Sequence, residues 1–404
     1  MGVTINSSMK RLVVVSAGVA ALVVGVILAW YSVRQEREFE RLIAAGDAAV
    51  AQEQTFVAIE AFSGALTLKR DSMLAYLKRG DTYRRRGELT AALRDLGQAA
   101  SLDPFAPRAV ELLGDVNVEM GRYERATEHY RAFVALDDRA PRILYKLGLT
   151  YYRNGQAAMA IGPLRDAIAI DDRFAEALYL LGMCLRDEKQ DGEALQALRR
   201  AVELQPAFMA AREELADLYT AGGRSREAIE ELEALAALEP TRAERLVNVG
   251  LAYARFGRTD AAVLTLGRAA ERYPEASVVY TALGRLWLDA AEVRNDRVAL
   301  SKAVEALQRV VARSGATSDA LMLYGRALFL TGRIGAAERA LQRAVALPPV
   351  DPMAFRYLTD ASERLGHTAE ARDALRRHAA LVDTSELDPE IPGRLARLRA
   401  LAGP

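Results

Sequence analysis

A step of 34 residues governs most of this chain. Gly46, Gly80, Gly114, Gly148 and Gly182 stand one step apart, and Ala216, Gly250 and Gly284 continue the series. Ala58, Ala92, Ala126, Ala160, Ala194, Ala228 and Ala262 keep the same step, and each is followed four residues later by Leu, Tyr or Phe. Pro104, Pro206, Pro240 and Pro274 close their units. A fixed period of this length means one supersecondary unit copied along the chain, which overrides the two or three domains that 404 residues would otherwise suggest.

Within a unit, positions 4, 7, 8 and 11 form one helical stripe, and positions 20, 24 and 27 form another. Position 8 is small, as a helix needs where its neighbour packs closely. A glycine at position 15 separates the two helices (Gly87, Gly121, Gly155, Gly223, Gly257, Gly332, Gly366). Two such helices cannot bury their faces alone, so units must stack. In period and in these phased residues the chain resembles the tetratricopeptide repeat family over residues 39–385, ten units. The resemblance implies an all-α, right-handed superhelical solenoid of helix-turn-helix units. Two departures stand out. Thr359 replaces the small residue in the last unit, and the eighth unit (277–317) is seven residues longer, with the insertion in "LDAAEVRND". Seven residues are nearly two helical turns, so both helices can keep their faces; the insertion reads either as a neutral lengthening or as a docking projection near Val293–Arg297. Residues 386–404 read as a closing cap helix with Asp388 as N-cap, Pro389 in the first turn and Leu387, Ile391, Leu395 and Leu398 on one face.

Ahead of the repeats, after a short tail (1–11), lie 22 uncharged residues between Arg11 and Arg34. As a helix they would span about 33 Å, against a hydrocarbon core of roughly 30 Å. Trp30 and Tyr31 sit at the far end, where an aromatic belt would lie. A cleaved signal peptide would carry a shorter apolar run and a small-x-small cleavage site, whereas this run ends in "LAWY". Residues 12–33 are therefore expected to be a retained transmembrane helix, with 34–38 as a juxtamembrane linker. Lys10 and Arg11 on one side nearly balance Arg34, Arg37 and Arg41 on the other. The short tail favours export of the repeats, which makes the expected location an inner membrane with the repeats in the periplasm.

The repeat frame separates the adjacent tyrosines of "LGLTYYRNGQ". Tyr151 falls at position 11, a core position, and Tyr152 at position 12. Positions 2, 5, 9 and 12 make a separate stripe, and the resemblance implies that it lines a concave, partner-binding groove. In the fourth and fifth units that stripe reads Arg142, Tyr145, Leu149, Tyr152, then Glu176, Tyr179, Met183, Arg186, with Lys146 beside it. It is an apolar patch with a basic fringe, suited to a protein or peptide segment carrying acidic residues. The ninth unit offers a smaller mixed patch of Asp319, Met322, Arg326 and Phe329.

Signals for catalysis are missing. The three histidines fall in different units, Cys184 sits at a helix position that a small filler would occupy, and no phosphate loop or nucleophile elbow occurs. Formal net charge is zero, which argues against broad nucleic-acid binding. No cofactor, metal or small-molecule substrate is expected. The sequence reads as a non-enzymatic, membrane-anchored scaffold, in a bacterial envelope complex for secretion, pilus, polysaccharide or cell-wall assembly. A second reading is a cytoplasm-facing regulatory adaptor for membrane enzymes.

Overall fold

The computed structural model describes residues 7–294, 296–382 and 390–401. The chain divides into two compact units, Met1–Pro206 and Ala207–Pro404. All regular structure among the described residues is helical. In the first compact unit, helices pair as α1 (Ser7–Ala51) with α2 (Thr55–Leu68), α3 (Met73–Arg85) with α4 (Leu89–Leu102), α5 (Pro107–Glu119) with α6 (Tyr123–Leu136), α7 (Pro141–Arg153) with α8 (Ala157–Ile170) and α9 (Ala175–Asp187) with α10 (Asp191–Leu204). In the second, α11 (Met209–Ala221) pairs with α12 (Ser225–Leu238), α13 (Ala243–Arg255) with α14 (Thr259–Arg272), α15 (Ser277–Arg294) with α16 (Arg297–Val311), α17 (Ser318–Leu330) with α18 (Ile334–Val345) and α19 (Pro352–Leu365) with α20 (Thr368–Leu381), and α21 (Ile391–Leu401) packs on α20. From α3 to α19, every first helix begins at position 1 of its repeat.

The small position 8 has the cause expected of it. A Cβ at Gly148 would lie 2.6 Å from Leu164 Cγ, and one at Gly114 would lie 2.5 Å from the Tyr130 ring. The same clash with the residue at position 24 recurs from Gly46 to Gly325, so one hydrogen at position 8 seats one large side chain at position 24 in nearly every hairpin. The position-20 alanines behind this contact are fully buried. The turn glycines also adopt the conformation that selects them, with φ of 72° at Gly155. Three hairpins lack that glycine, and in two of them Glu53 and Lys189 hold φ of 59° and 61°. An L side chain in this left-handed region costs about 1–2 kcal/mol. Lys189→Gly is therefore expected to stabilise the fifth repeat by about 1 kcal/mol after the glycine's own entropy is counted, measured as a higher urea midpoint; an unchanged or lower midpoint would refute the strain.

Two positions of the first-helix core stripe are charged, Arg79 and Arg212. Arg79 stands at position 7, where the other repeats carry an apolar residue. It reaches Asp95 with two bonds, Nε to Oδ2 at 2.6 Å and Nη2 to Oδ1 at 3.0 Å, and its Nη1 donates to Ser63 Oγ at 3.0 Å. Asp95 is 4% exposed.

At the N-terminus, α1 is a single helix of 45 residues that runs through 34–38 without a break. The expected linker is thus part of the first hairpin: Gln35 Nε2 donates to the Leu68 carbonyl at 2.8 Å, and Lys69 Nζ donates to Glu36 at 2.6 Å. Among the described residues no helix is long and apolar enough to cross a membrane. The side chains of 12–15, 17–19 and 21, which complete the apolar segment, lie outside those described. At the other end Ile391 and Leu398 are buried against Ala371 and Leu375, as a cap helix requires, and Leu395 packs partly against them. Leu387, Asp388 and Pro389 lie outside the described residues.

Candidate functional site

The two tyrosines on α7 part as their positions require. Tyr151 is 8% exposed, in the core, and Tyr152 is half-buried on the adjacent stripe. Tyr145, Lys146, Leu149, Tyr179, Met183 and Arg186 are also half-buried, and Arg142 is exposed. All belong to α7 and α9, neighbouring first helices in the first compact unit. The Tyr145 ring packs on Phe174, the residue that precedes α9, with centroids 5.1 Å apart and planes tilted by 44°. Burial raises the hydroxyl pKa of Tyr145 and of Tyr152, and the carboxylates of Glu176 and Asp187 respectively push the same way. Both phenols remain neutral at physiological pH, and that of Tyr152 is already hydrogen-bonded to Asp187.

The basic fringe is different from the sequence expectation. Lys146 Nζ donates to Glu111 Oε1 at 2.7 Å and to both oxygens of Asp115, at 2.8 and 2.9 Å. Tyr130 Oη donates to the same Asp115 at 2.6 Å. Arg186 pairs with Asp187 at 3.1 Å. These cations are balanced within the chain, and a cleft of about 180 Å³ beside Leu149 is walled partly by the Lys146 network. Arg142 and Arg153 are exposed and carry no ion pair among the described residues. The patch is therefore chiefly aromatic and aliphatic, with a smaller positive offer than Arg142, Lys146 and Arg186 implied in sequence. Glu111 and Asp115 lie at positions 5 and 9 of the preceding repeat, so the pairing was visible only across units, 31 and 35 residues away.

The mixed patch of the ninth unit is not open. Met322 is 5% exposed, Asp319 pairs with Arg285 at 2.8 Å, and Arg326 pairs with Glu292. Cys184 is fully buried, and burial pushes its thiol up to about 12, so little thiolate exists to act as a nucleophile.

His367 has close neighbours that its spacing concealed. Its Nδ1 lies 2.8 Å from Glu338 Oε1 and 3.5 Å from Glu370 Oε2, and Ser362 Oγ donates to Glu338 at 2.7 Å. The three side chains have the donor set of a cation site. Glu338, though, is buried and already satisfied by Ser362 and His367, so the group works as a clasp between α18 and the last hairpin. The Glu338 bond raises the His367 pKa above 6.5. Burial alone would raise Glu338, but the bonds from His367 and Ser362 hold it below 4.5. The raised histidine contributes stability fully present below its unfolded value and lost as pH rises through its folded value; the depressed glutamate contributes stability present above its unfolded value and lost as pH falls through its folded value. The clasp is strongest between those two limits. Melting curves from pH 5 to pH 8 should show the wild type losing stability that His367→Gln does not lose; parallel losses would refute the clasp.

Stacked helical hairpins, a small-to-large contact repeated in each, and a stripe of half-buried aromatics beside the core together define a helical-repeat protein. Profiles described as "Tetratricopeptide repeat" match residues 43–107, 213–277, 300–349 and 331–386, more than half of the chain; another of that description matches 175–208, and one described as "TPR repeat" matches 114–155. The chain belongs to the tetratricopeptide repeat family. It is 32% identical over 92 residues to small glutamine-rich tetratricopeptide repeat-containing protein 2 of Mycosarcoma maydis, a match spanning 23% of this chain and 26% of that relative. Among solved structures, the C-terminal part of a TPR repeat-containing protein from Cytophaga hutchinsonii is similar in fold, with a TM-score of 0.53, 18% identity, and coverage of 60% of this chain and 99% of that one. Yeast Tom70 gives a TM-score of 0.44 at 13% identity over 91% of this chain and 96% of its own.

Proposed function

We propose that this protein is a membrane-tethered scaffold that holds a protein partner on the α7–α9 patch, in assembly of a bacterial envelope complex. The observation that carries the partner reading is the phase of the aromatic residues. Tyr145, Leu149, Tyr152, Tyr179 and Met183 occupy a stripe that hairpin stacking covers only in part, and each remains half-buried. Tyrosine is enriched at interface hot spots because it supplies area and a polar handle at low entropic cost. The partner segment is expected to be mainly apolar, with a carboxylate placed for Arg142 or Arg153.

Tethering is supported by the described part of the apolar segment. Nine large apolar side chains between Leu22 and Val33 are exposed around a single helix, from Leu22 at one end to Trp30, Tyr31 and Val33 at the other. A helix apolar on all sides needs either a protein core or lipid around it. The test is carbonate extraction of cell membranes with N-terminal sequencing of the product. The full-length chain should stay in the pellet with residues 12–33 intact, and a soluble product beginning beyond Val33 would defeat the reading. A reporter active only outside the cytoplasm, fused after Pro404, should be active. Activity of a cytoplasmic reporter instead would favour an adaptor for membrane enzymes.

A further inference from the structure

We propose that the edge of the first two repeats, formed by the turns after α2 and α4, rests on the surface of a bilayer, with Arg37 and Arg70 on lipid phosphates and the Phe105 ring in the headgroup layer. This contact presupposes the tether proposed above, and it lies wholly within the first compact unit.

The course of α1 sets the level of that edge. α2 runs back along α1 and ends beside its exposed apolar stretch, where the Leu68 carbonyl accepts from Gln35 Nε2 and Lys69 pairs with Glu36. Gln35 is about 3 Å along the helix axis from Val33, where the exposed apolar side chains stop. A headgroup layer is roughly 5–7 Å deep on each side of the hydrocarbon, so the turn at 69–72 falls inside it. Arg34 marks the same level, its guanidinium 5.4 Å from the centre of the Trp30 ring. The turn after α4 adjoins this one. Ala106 is buried in a cluster with Met73, the residue that follows 69–72.

The chemistry of the edge changes with distance from α1. Nearest to it, Arg34, Arg37 and Arg70 are exposed, carry no ion pair among the described residues, and outnumber Asp71, the exposed acid of the first turn. The second turn reads "LDPFAP" from Leu102 to Pro107. Its Phe105 ring is 77% exposed, with Leu102 and Pro104 exposed beside it. Its one charge, Asp103, accepts from the Phe105 amide at 3.0 Å. The third and fourth turns put Arg139 and Arg173 at the position of Phe105, each preceded by two exposed aspartates, Asp137 with Asp138 and Asp171 with Asp172. A single exposed phenylalanine is ordinary. Here it stands at a turn position that is charged in the next two repeats, one hairpin away from a helix that is apolar all round. Basic, then aromatic, then acidic is the order that a phosphate-bearing interface favours. Guanidinium groups make paired bonds to phosphate, an aromatic ring gains from the headgroup layer, and carboxylates are kept off a negative surface.

The test uses the purified full-length chain with Phe105→Cys, labelled with a fluorophore and reconstituted into phosphatidylcholine vesicles whose headgroups carry a nitroxide quencher. Cys184 is fully buried and does not take the label. A second protein carries the label through Thr90→Cys, an exposed position at the other end of α4. The label at 105 should be quenched about twofold or more relative to the label at 90, and more strongly when phosphatidylglycerol replaces part of the phosphatidylcholine. Arg37→Gln with Arg70→Gln should remove about half of the quenching at 105. Both arginines are exposed and unpaired among the described residues, so the melting temperature should not change. Flotation with the vesicles separates the two readings. A chain that floats but shows equal quenching at 105 and 90 overturns the contact and leaves the tether standing; a chain that does not float overturns the tether and the contact with it. Quenching at 105 that ignores both the arginines and the lipid charge would also overturn the contact. So would a label that responds to protein concentration in detergent and not to lipid, which would make a second copy of this chain the occupant.

Discussion

Tyr151→Ala is expected to destabilise the fourth repeat by about 3–5 kcal/mol, the usual range for truncating a large buried ring, while Tyr152→Ala should cost no more than about 1 kcal/mol. The side chains leave the same helix one residue apart, yet Tyr151 is buried and Tyr152 lies on the open stripe. Capture of the natural partner should show the reverse order of importance, with Tyr152→Ala weakening it by about 1–2 kcal/mol if the ring is a hot spot. Hydrogen exchange of α7 and α8 is the better stability measure, because repeat arrays open locally and a single melting temperature averages over units. Equal destabilisation by both changes would show that the stripe assignment is wrong. A Tyr152→Ala protein that captures its partner normally would remove the α7–α9 patch from consideration.

Asp95→Ala should also be costly, up to about 3 kcal/mol, since it strands a partly buried guanidinium without its counter-charge. Arg79 has no equivalent second acceptor: its remaining bond is to the hydroxyl of Ser63. Replacing both partners with apolar residues, Arg79→Met with Asp95→Leu, should recover most of the loss, because the pair's attraction repays little beyond its own desolvation. Hydrogen exchange of α3 and α4 reads both variants. If the double variant is no better than Asp95→Ala, the pair is holding the register of α3 against α4, and its removal cannot be compensated by hydrophobic burial.

Much of this architecture was legible because 34 residues separate equivalent contacts. The helix starts at Met73, Pro107, Pro141, Ala175, Met209 and Ala243 fall where the period puts them. The glycine–leucine contacts follow from the same phase, as does the division between Tyr151 and Tyr152. Side-chain chemistry that crosses from one repeat to the next was harder to read. Lys146 looks like a free cation within its own unit and is neutralised by Glu111 and Asp115 of the unit before. His367 and Glu338 meet across 29 residues, close to one period but not in phase with it. A charged residue at a core position was the one available signal for the Arg79–Asp95 pair. The left-handed turns at Glu53 and Lys189 left no signal of their own, because the residue types contradict the conformation and only the neighbouring hairpins dictate it.

The unbroken course of α1 has a consequence for chain length. A flexible connector tolerates added residues, but a helix converts each added residue into a rotation of about 100°. One residue inserted between Val33 and Arg34 would keep Gln35 and Glu36 on their partners at the end of α2 and swing every side chain upstream to a different bearing. Four inserted residues would bring the bearing back to within about 40° and add about 6 Å of reach. The distance from Val33 to Phe39 thus sets a compass direction, fixing which way the first hairpin faces for whatever surrounds the helix before it.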